Sequence, residues 1–231
     1  GLFFDEDGKV YVVHGQGTLY LTELNSDVKS VKGKPVKIWQ GGFKNAHELG
    51  GGLGMEGSHM YRINGKYYIT CPAGGTGGWQ ICLRSDNIYG PYEHKLIMND
   101  WSSYPENGLH QGGMVQLKNG DWWFMIMQDR GPIGRVPCLV PVKWIDGWPM
   151  LGDEGKDLIT YPKPATGKKS KIKSPATTDE FNASQLGLQW QWNHNPDNSR
   201  WSLKERKGYM RLYASQASTL KDARNTLTQR V

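Results

Sequence analysis

With 231 residues, 37% hydrophobic and 22% charged, the chain has the composition of a globular protein holding one large domain or parts of two, and its three cysteines exclude a disulfide-stapled framework. No run approaches the ~20 apolar residues of a membrane-spanning helix. The formal charge of +6 is local: "KPATGKKSKIK" (163–173) holds five lysines and no acid, and without them the charge falls to +1, which excludes a basic face for nucleic acid.

In chain order the first elements are "DEDGKVYVVHG" (5–15) and "GTLYLTEL" (17–24), a turn followed by strand-like runs. "RINGKYYITCP" (62–72) and "GWQICLRS" (78–85) repeat that pattern, and "LKNGDWWFMIM" (117–127) with "GRVPCLVPVKW" (134–144) repeats it again. The turn glycines are Gly8, Gly65 and Gly120, spaced by 57 and 55 residues. Asp-Gly and Asn-Gly supply the positive φ of a tight hairpin turn, and the β-branched and aromatic run after each is a strand. Small antiparallel sheets repeated at a fixed period are the pattern of a β-propeller. Cys71 and Cys82 flank the "GGTGG" turn and are expected as free thiols rather than a disulfide.

The inner strand of each blade lines the axial channel, so residues at the starts of these strands converge on one pocket. Glu56 lies nine residues before Gly65, and His110 lies ten before Gly120. Three blades do not close a ring that typically needs about four to eight. The sequence is therefore expected to be an incomplete propeller, its other blades belonging to a longer chain or supplied by another. Domain boundaries are expected at 1–160 for about three blades, 161–178 for a Pro-, Lys- and Ser/Thr-rich linker, and 179–231 for the start of a second all-β domain. In that domain "LGLQWQW" (186–192) alternates, which predicts a strand with Leu186, Leu188, Trp190 and Trp192 on one face.

Four residues carry candidate chemistry. Glu56 reads as a proton-donating acid, with a solvated loop glutamate as the alternative. Arg135 offers a planar fork of donors, with a plain ion pair to Asp129 as the alternative. His110 reads as a hydrogen-bonding group on the pocket floor or a residue beside a metal ion; calcium prefers oxygen ligands, so one imidazole would need waters to complete the shell. Trp79, beside the glycine turn, is the tryptophan best placed to stack on a ligand, while Trp122, Trp123, Trp190 and Trp192 read as core. "HELGG" (47–51) lacks the second histidine of a zinc-protease helix, and "DEDG" (5–8) lacks the spaced ligands of a calcium-binding hand.

Through "MEGSHMYRINGKYYI", "LHQGGMV" and "GRVPCLVPVKWIDGWP" the sequence resembles glycoside hydrolase family 43, and "DEFNASQLGLQWQWNHNPDNSRWSLKERKGYMRL" resembles the opening of the β-sandwich that follows the propeller in its β-xylosidase and α-L-arabinofuranosidase branches. The resemblance implies an all-β fold, part of a five-bladed β-propeller followed by the beginning of a β-sandwich. It implies an inverting, exo-acting hydrolase of xylose- and arabinose-containing saccharides, with Glu56 as general acid, Arg135 as a sugar-binding arginine and His110 at the axis beside a calcium ion or water. The general base and the carboxylate that tunes the acid fall outside this sequence, so the polypeptide alone is expected to be inactive. The alternative is a carbohydrate-binding propeller without turnover. No cofactor is expected as a requirement, calcium being the one ion implied. The expected partner is an oligosaccharide or polysaccharide, with neither nucleic acid nor membrane. The expected location is secreted or periplasmic, a cytoplasmic one being left open.

Overall fold

The structure, a computed structural model, describes residues 1–43, 48, 54–100, 107–156, 160–165, 167, 171, 173, 174 and 176–229. "HELGG", apart from Glu48, and part of the lysine-rich segment lie outside them. The chain divides into two compact units, Gly1–Thr166 and Gly167–Val231.

The first unit contains three four-stranded antiparallel sheets, each a meander in sequence order. The first blade comprises β1 (Leu2–Phe4), β2 (Val10–Gln16), β3 (Thr18–Leu24) and β4 (Val36–Trp39). The second comprises β5 (His59–Ile63), β6 (Lys66–Ala73), β7 (Trp79–Ser85) and β8 (Glu93–Met98). The third comprises β9 (His110–Gln116), β10 (Trp122–Asp129), β11 (Arg135–Ile145) and β12 (Trp148–Leu151).

All three predicted glycine turns form, in two geometries. Asn64 and Gly65 have φ of 51° and 79° and close a two-residue turn between Ile63 and Lys66. Gly8 and Gly120 close longer turns, donating their N–H groups to Asp5 O at 3.0 Å and Leu117 O at 2.9 Å, with φ of 83° and 93°. Both geometries need positive φ, which an Asn-Gly or Asp-Gly pair accommodates with little strain.

The second sheet buries both its faces, one against the first blade and one against the third. Leu19 and Leu21 of the first blade pack with Ile69, Ile81 and Leu83 of the second. Cys82 and Ile97 from the second sheet's other face pack with Phe124, Ile126 and Val140 of the third. Burying a large apolar side chain contributes about 1.5–3 kcal/mol, so neighbouring blades stabilise one another. The register explains the thiols: Cys82 pairs with Thr70, one residue from Cys71. Successive strand residues face opposite ways, so Cys71 and Cys82 enter different cores and both are free.

The second unit is sparser. β13 (Trp190–Trp192) pairs with β16 (Leu227–Gln229), and β14 (Trp201–Ser202) pairs with β15 (Arg211–Leu212). Phe181 stacks on Trp190 at 5.5 Å, and the Trp190 indole donates to Asp179 Oδ2 at 2.8 Å. The alternation over 186–192 is only partly realised: Leu188 sits in a turn, 93% exposed, and the strand begins at Trp190, whose N–H donates to Gly187 O. That local turn takes the backbone bond that a longer strand would need from a partner.

Candidate active site

Antiparallel alternation sorts the blade ends. The glycine turns lie at one end of the inner strands. The starts of β5 and β9, and the β6–β7 and β10–β11 hairpins, lie at the other. Glu56, His110, Trp79 and Arg135 all belong to this second end.

The two hairpins there have the same build. Ala73 pairs with Trp79 across residues 74–78, and Asp129 pairs with Arg135 across residues 130–134, each loop holding one 3-10 turn. Trp79 and Arg135 are therefore equivalent positions in successive blades. Counted from these hairpins, His110, opposite Met127, corresponds to Ser58 rather than Glu56. The count from the glycines finds the right end of the sheet but is offset by the longer third-blade turn and by a bulge.

Both inner strands are irregular at this end. In β9 the pairing passes from Gly112–Ile126 to His110–Met127, leaving Gln111, with φ 58°, as an extra residue. Before β5, a Gly54–Ala73 bridge and the His59–Thr70 pair enclose four residues on one strand against two on the other. The excess is a two-residue excursion that carries Glu56, flanked by Met55 and Gly57 with φ of 69° and 67°. Such bulges re-aim side chains at sheet ends. Met55 N–H to Pro72 O at 2.7 Å and Ser58 Oγ–H to Met55 O at 2.6 Å fix its base.

Glu56 is exposed at the tip of this excursion, while Met55 and Ser58 beneath it are buried. A Cβ at Gly57 would lie 2.7 Å from Gln111 Nε2, so the Glu56 turn rests on the residue next to His110. The Gln111 N–H donates to Oε1 of the fully buried Gln80 at 2.7 Å. His110 is buried, with Nδ1 3.0 Å from Gly108 O and its ring against Gly78, where a Cβ would come within 2.8 Å of it. Gln111, the chain neighbour of His110, thus meets both the Glu56 turn and the buried Gln80. Burial pushes the Cys71 thiol well up, and the Glu56 charge adds to the shift.

The inner strands also converge. A Cβ on Gly1 would lie 2.4 Å from Ser58 O, and one on Gly113 would lie 2.8 Å from Tyr61 Oη, which accepts the Met114 N–H at 2.8 Å. Burial lowers the pKa of His59, the first residue of β5.

Arg135 is 67% exposed in its side chain, with Nε 3.5 Å from Asp129 Oδ1, and the other carboxylate oxygen of Asp129 is buried without a hydrogen-bond partner. No described contact joins Arg135 to Glu56. Trp79 departs from the stacking expectation. It is 8% exposed, in the core between the first two blades, with its ring over Gly74.

Among the described residues no group of three or more His, Cys, Asp or Glu side chains could hold a metal ion. His110 brings a single imidazole, whose described polar partner is the backbone carbonyl of Gly108. This donor set does not make a protein cage for calcium. Gln80 and Gln111 were not singled out from the sequence. The available signal was a glutamine inside the apolar run "WQICL", where a buried amide needs a partner.

The family model for glycosyl hydrolases family 43 matches residues 1–149, and that for the beta xylosidase C-terminal concanavalin A-like domain matches residues 178–231. A beta-xylosidase of Formosa agariphila is 40% identical over 71% of this chain and 32% of its own length. A non-reducing end alpha-L-arabinofuranosidase of Bacteroides ovatus is 35% identical over 70% of this chain and 33% of its own. The crystal structure of a family 43 protein from Bacillus licheniformis superposes with a TM-score of 0.80 at 31% identity, covering all of this chain and 46% of that one. The chain spans less than half the length of the curated relatives it matches. The likeness makes the three blades part of a five-bladed propeller and the residues after them the beginning of a β-sandwich.

Proposed function

The chain belongs to glycosyl hydrolases family 43, and on that premise we propose that the protein containing it is an inverting, exo-acting glycosidase. It releases xylose or arabinofuranose from the ends or side chains of plant-wall saccharides. Glu56 is the general acid, giving its proton to the departing glycosidic oxygen. Arg135 holds hydroxyls of the terminal sugar through its planar fork. His110 is a hydrogen-bonding group on the pocket floor, positioned by Gly108 and Gly78, and no step passes through a metal. The observation that carries this reading is the two-residue excursion that lifts Glu56 at the blade end shared with His110 and Arg135.

Inversion requires a second carboxylate ~6.5–9.5 Å from the acid, with room for the attacking water. We assign that base, and the carboxylate that tunes Glu56, to parts of the protein beyond this chain, whose relatives are more than twice its length. The polypeptide by itself is then inactive, its domains dividing as blades at 1–160, linker at 161–178 and sandwich from 179. Its partner is saccharide, with neither nucleic acid nor membrane. No helix among the described residues is long and apolar enough to cross a membrane, and a secreted or periplasmic location fits a polymer substrate.

The test is hydrolysis of aryl β-D-xylosides and aryl α-L-arabinofuranosides by the full-length protein. For aryl glycosides with poor leaving groups, Glu56→Gln should lower kcat by roughly 10²–10⁴-fold, the range a positioned general acid supplies. Binding of xylo-oligosaccharides without turnover of either aryl substrate would favour the non-catalytic propeller instead. Wild-type turnover of those poor-leaving-group substrates by Glu56→Gln would remove Glu56 from the mechanism.

A further inference from the structure

At the glycine-turn end of the blades, opposite Glu56, a cavity of about 340 Å³ is lined by Arg62, Ile63, Asn64, Gln116, Trp122 and Trp144. It lies between the second and third blades. From His59 to Asn64 the strand advances roughly 17 Å at its ~3.3 Å rise per residue, so one sugar cannot span both ends. The volume sits at the low end of small-ligand pockets, which run from ~300 to 1,000 Å³.

The lining has a definite chemistry. Trp122 and Trp144 are half-buried, with ring centroids 5.6 Å apart and planes at 78°, forming two aromatic walls at nearly a right angle. Tyr68 packs edge-on against Trp144 and braces it. Asn64 and Gln116 add two exposed amides, each with donor and acceptor atoms, and Gln116 is steadied by donating to Gly120 O at 3.2 Å. Arg62 adds a buried Nε without a partner. Its charge is already met, with Nη1 3.1 Å from Asp5 and 3.2 Å from Glu6. A compensated guanidinium beside two neutral amides and two indoles does not favour a phosphate or carboxylate. Apolar C–H faces rimmed by hydroxyls match it.

We propose that this cavity is a second saccharide-binding site that holds internal units of a pentose polymer while the chain end is processed at the opposite face. The choice of pentose polymer rests on the family 43 reading above. The site itself rests on the cavity.

The experiment is native affinity electrophoresis of the full-length protein in gels containing soluble arabinoxylan, run beside turnover of a small aryl xyloside. Trp122→Ala should weaken retardation roughly tenfold with aryl xyloside turnover within twofold of wild type. Because Trp122 also packs in the blade, a double variant, Asn64→Gly with Gln116→Ala, removes both amides. Glycine readily accepts the φ of 51° at position 64, so that turn is kept. It should weaken retardation several-fold with turnover again unchanged. Undiminished retardation of the double variant would overturn the proposal, as would equal retardation of the wild type by a mannan gel. Parallel loss of turnover and retardation in the double variant would also overturn it, because that marks a disturbed fold rather than a lost contact. Failure of the wild type to turn over any aryl glycoside would instead count against the enzyme reading, and retardation by arabinoxylan alone would still support the site.

Discussion

The two units of this chain solve the burial problem differently. In the first, each sheet is completed by neighbours in sequence, and stacking buries Leu19, Ile69, Leu83, Phe124 and Ile126 essentially completely. In the second, the described strands are two or three residues long, and among the described residues only Leu203 and Asn225 are buried. A blade is a local meander that packs on the next one, so successive blades form a core as they accumulate. A sandwich needs strands far apart in sequence to build both layers before either face is covered. The opening segment of a sandwich therefore holds itself by polar contacts: Asn225 donates to Asp197 O at 3.0 Å and accepts the Asp197 N–H at 2.8 Å.

This contrast can be broken by mutation, read segment by segment through hydrogen exchange of the full-length protein. Phe124→Ala empties a fully buried position between two blades and should cost about 3–5 kcal/mol, raising exchange throughout β9–β12. Asn225→Ala should cost about 1–3 kcal/mol by leaving Asp197 backbone groups unpaired, with faster exchange confined to residues 179–229. If Asn225→Ala loosened the blades as much as Phe124→Ala does, the two units would not be separate in the sense argued here.

A smaller, graded effect is expected in alkali. Burial raises the pKa of Tyr61, Tyr67, Tyr68 and Tyr92 in the blades. A folded-state pKa above the unfolded value of about 10 means that their contribution is complete below that pH and is lost as pH climbs through the folded values. In the second unit Tyr213 is raised chiefly by its hydrogen bond to Glu205 on the surface, where little stability is at stake. Above about pH 10 the blades should therefore gain exchange before residues 179–229 do. The reverse order would contradict the burial difference.

Much of the first unit was legible because its punctuation is chemical. Positive φ at Gly8, Gly65 and Gly120 demands a particular residue type, and that type recurs at a near-constant interval. The strand proposed over 186–192 shows the limit of pattern reading: alternation marks which residues could share a face, while a local turn at Leu188 decides which do. At the site, the correct end of the sheets could be read, but the equivalence of residues could not. Glu56 lies two residues out of register and Gln111 is a bulge, and both appear only when pairing partners on the adjacent strand are counted. Trp79 shows the same limit: its glycine-rich surroundings make room for the ring to pack over Gly74, which the one-dimensional pattern does not reveal.

The account turns on Glu56 delivering a proton to the leaving group, and a leaving-group series on the full-length Glu56→Gln protein tests that most directly. Aryl xylosides or arabinofuranosides whose phenols leave without protonation should be hydrolysed at close to the wild-type rate. Those with poor leaving groups should slow by roughly 10²–10⁴-fold. An equal loss across the whole series, or none, would contradict it.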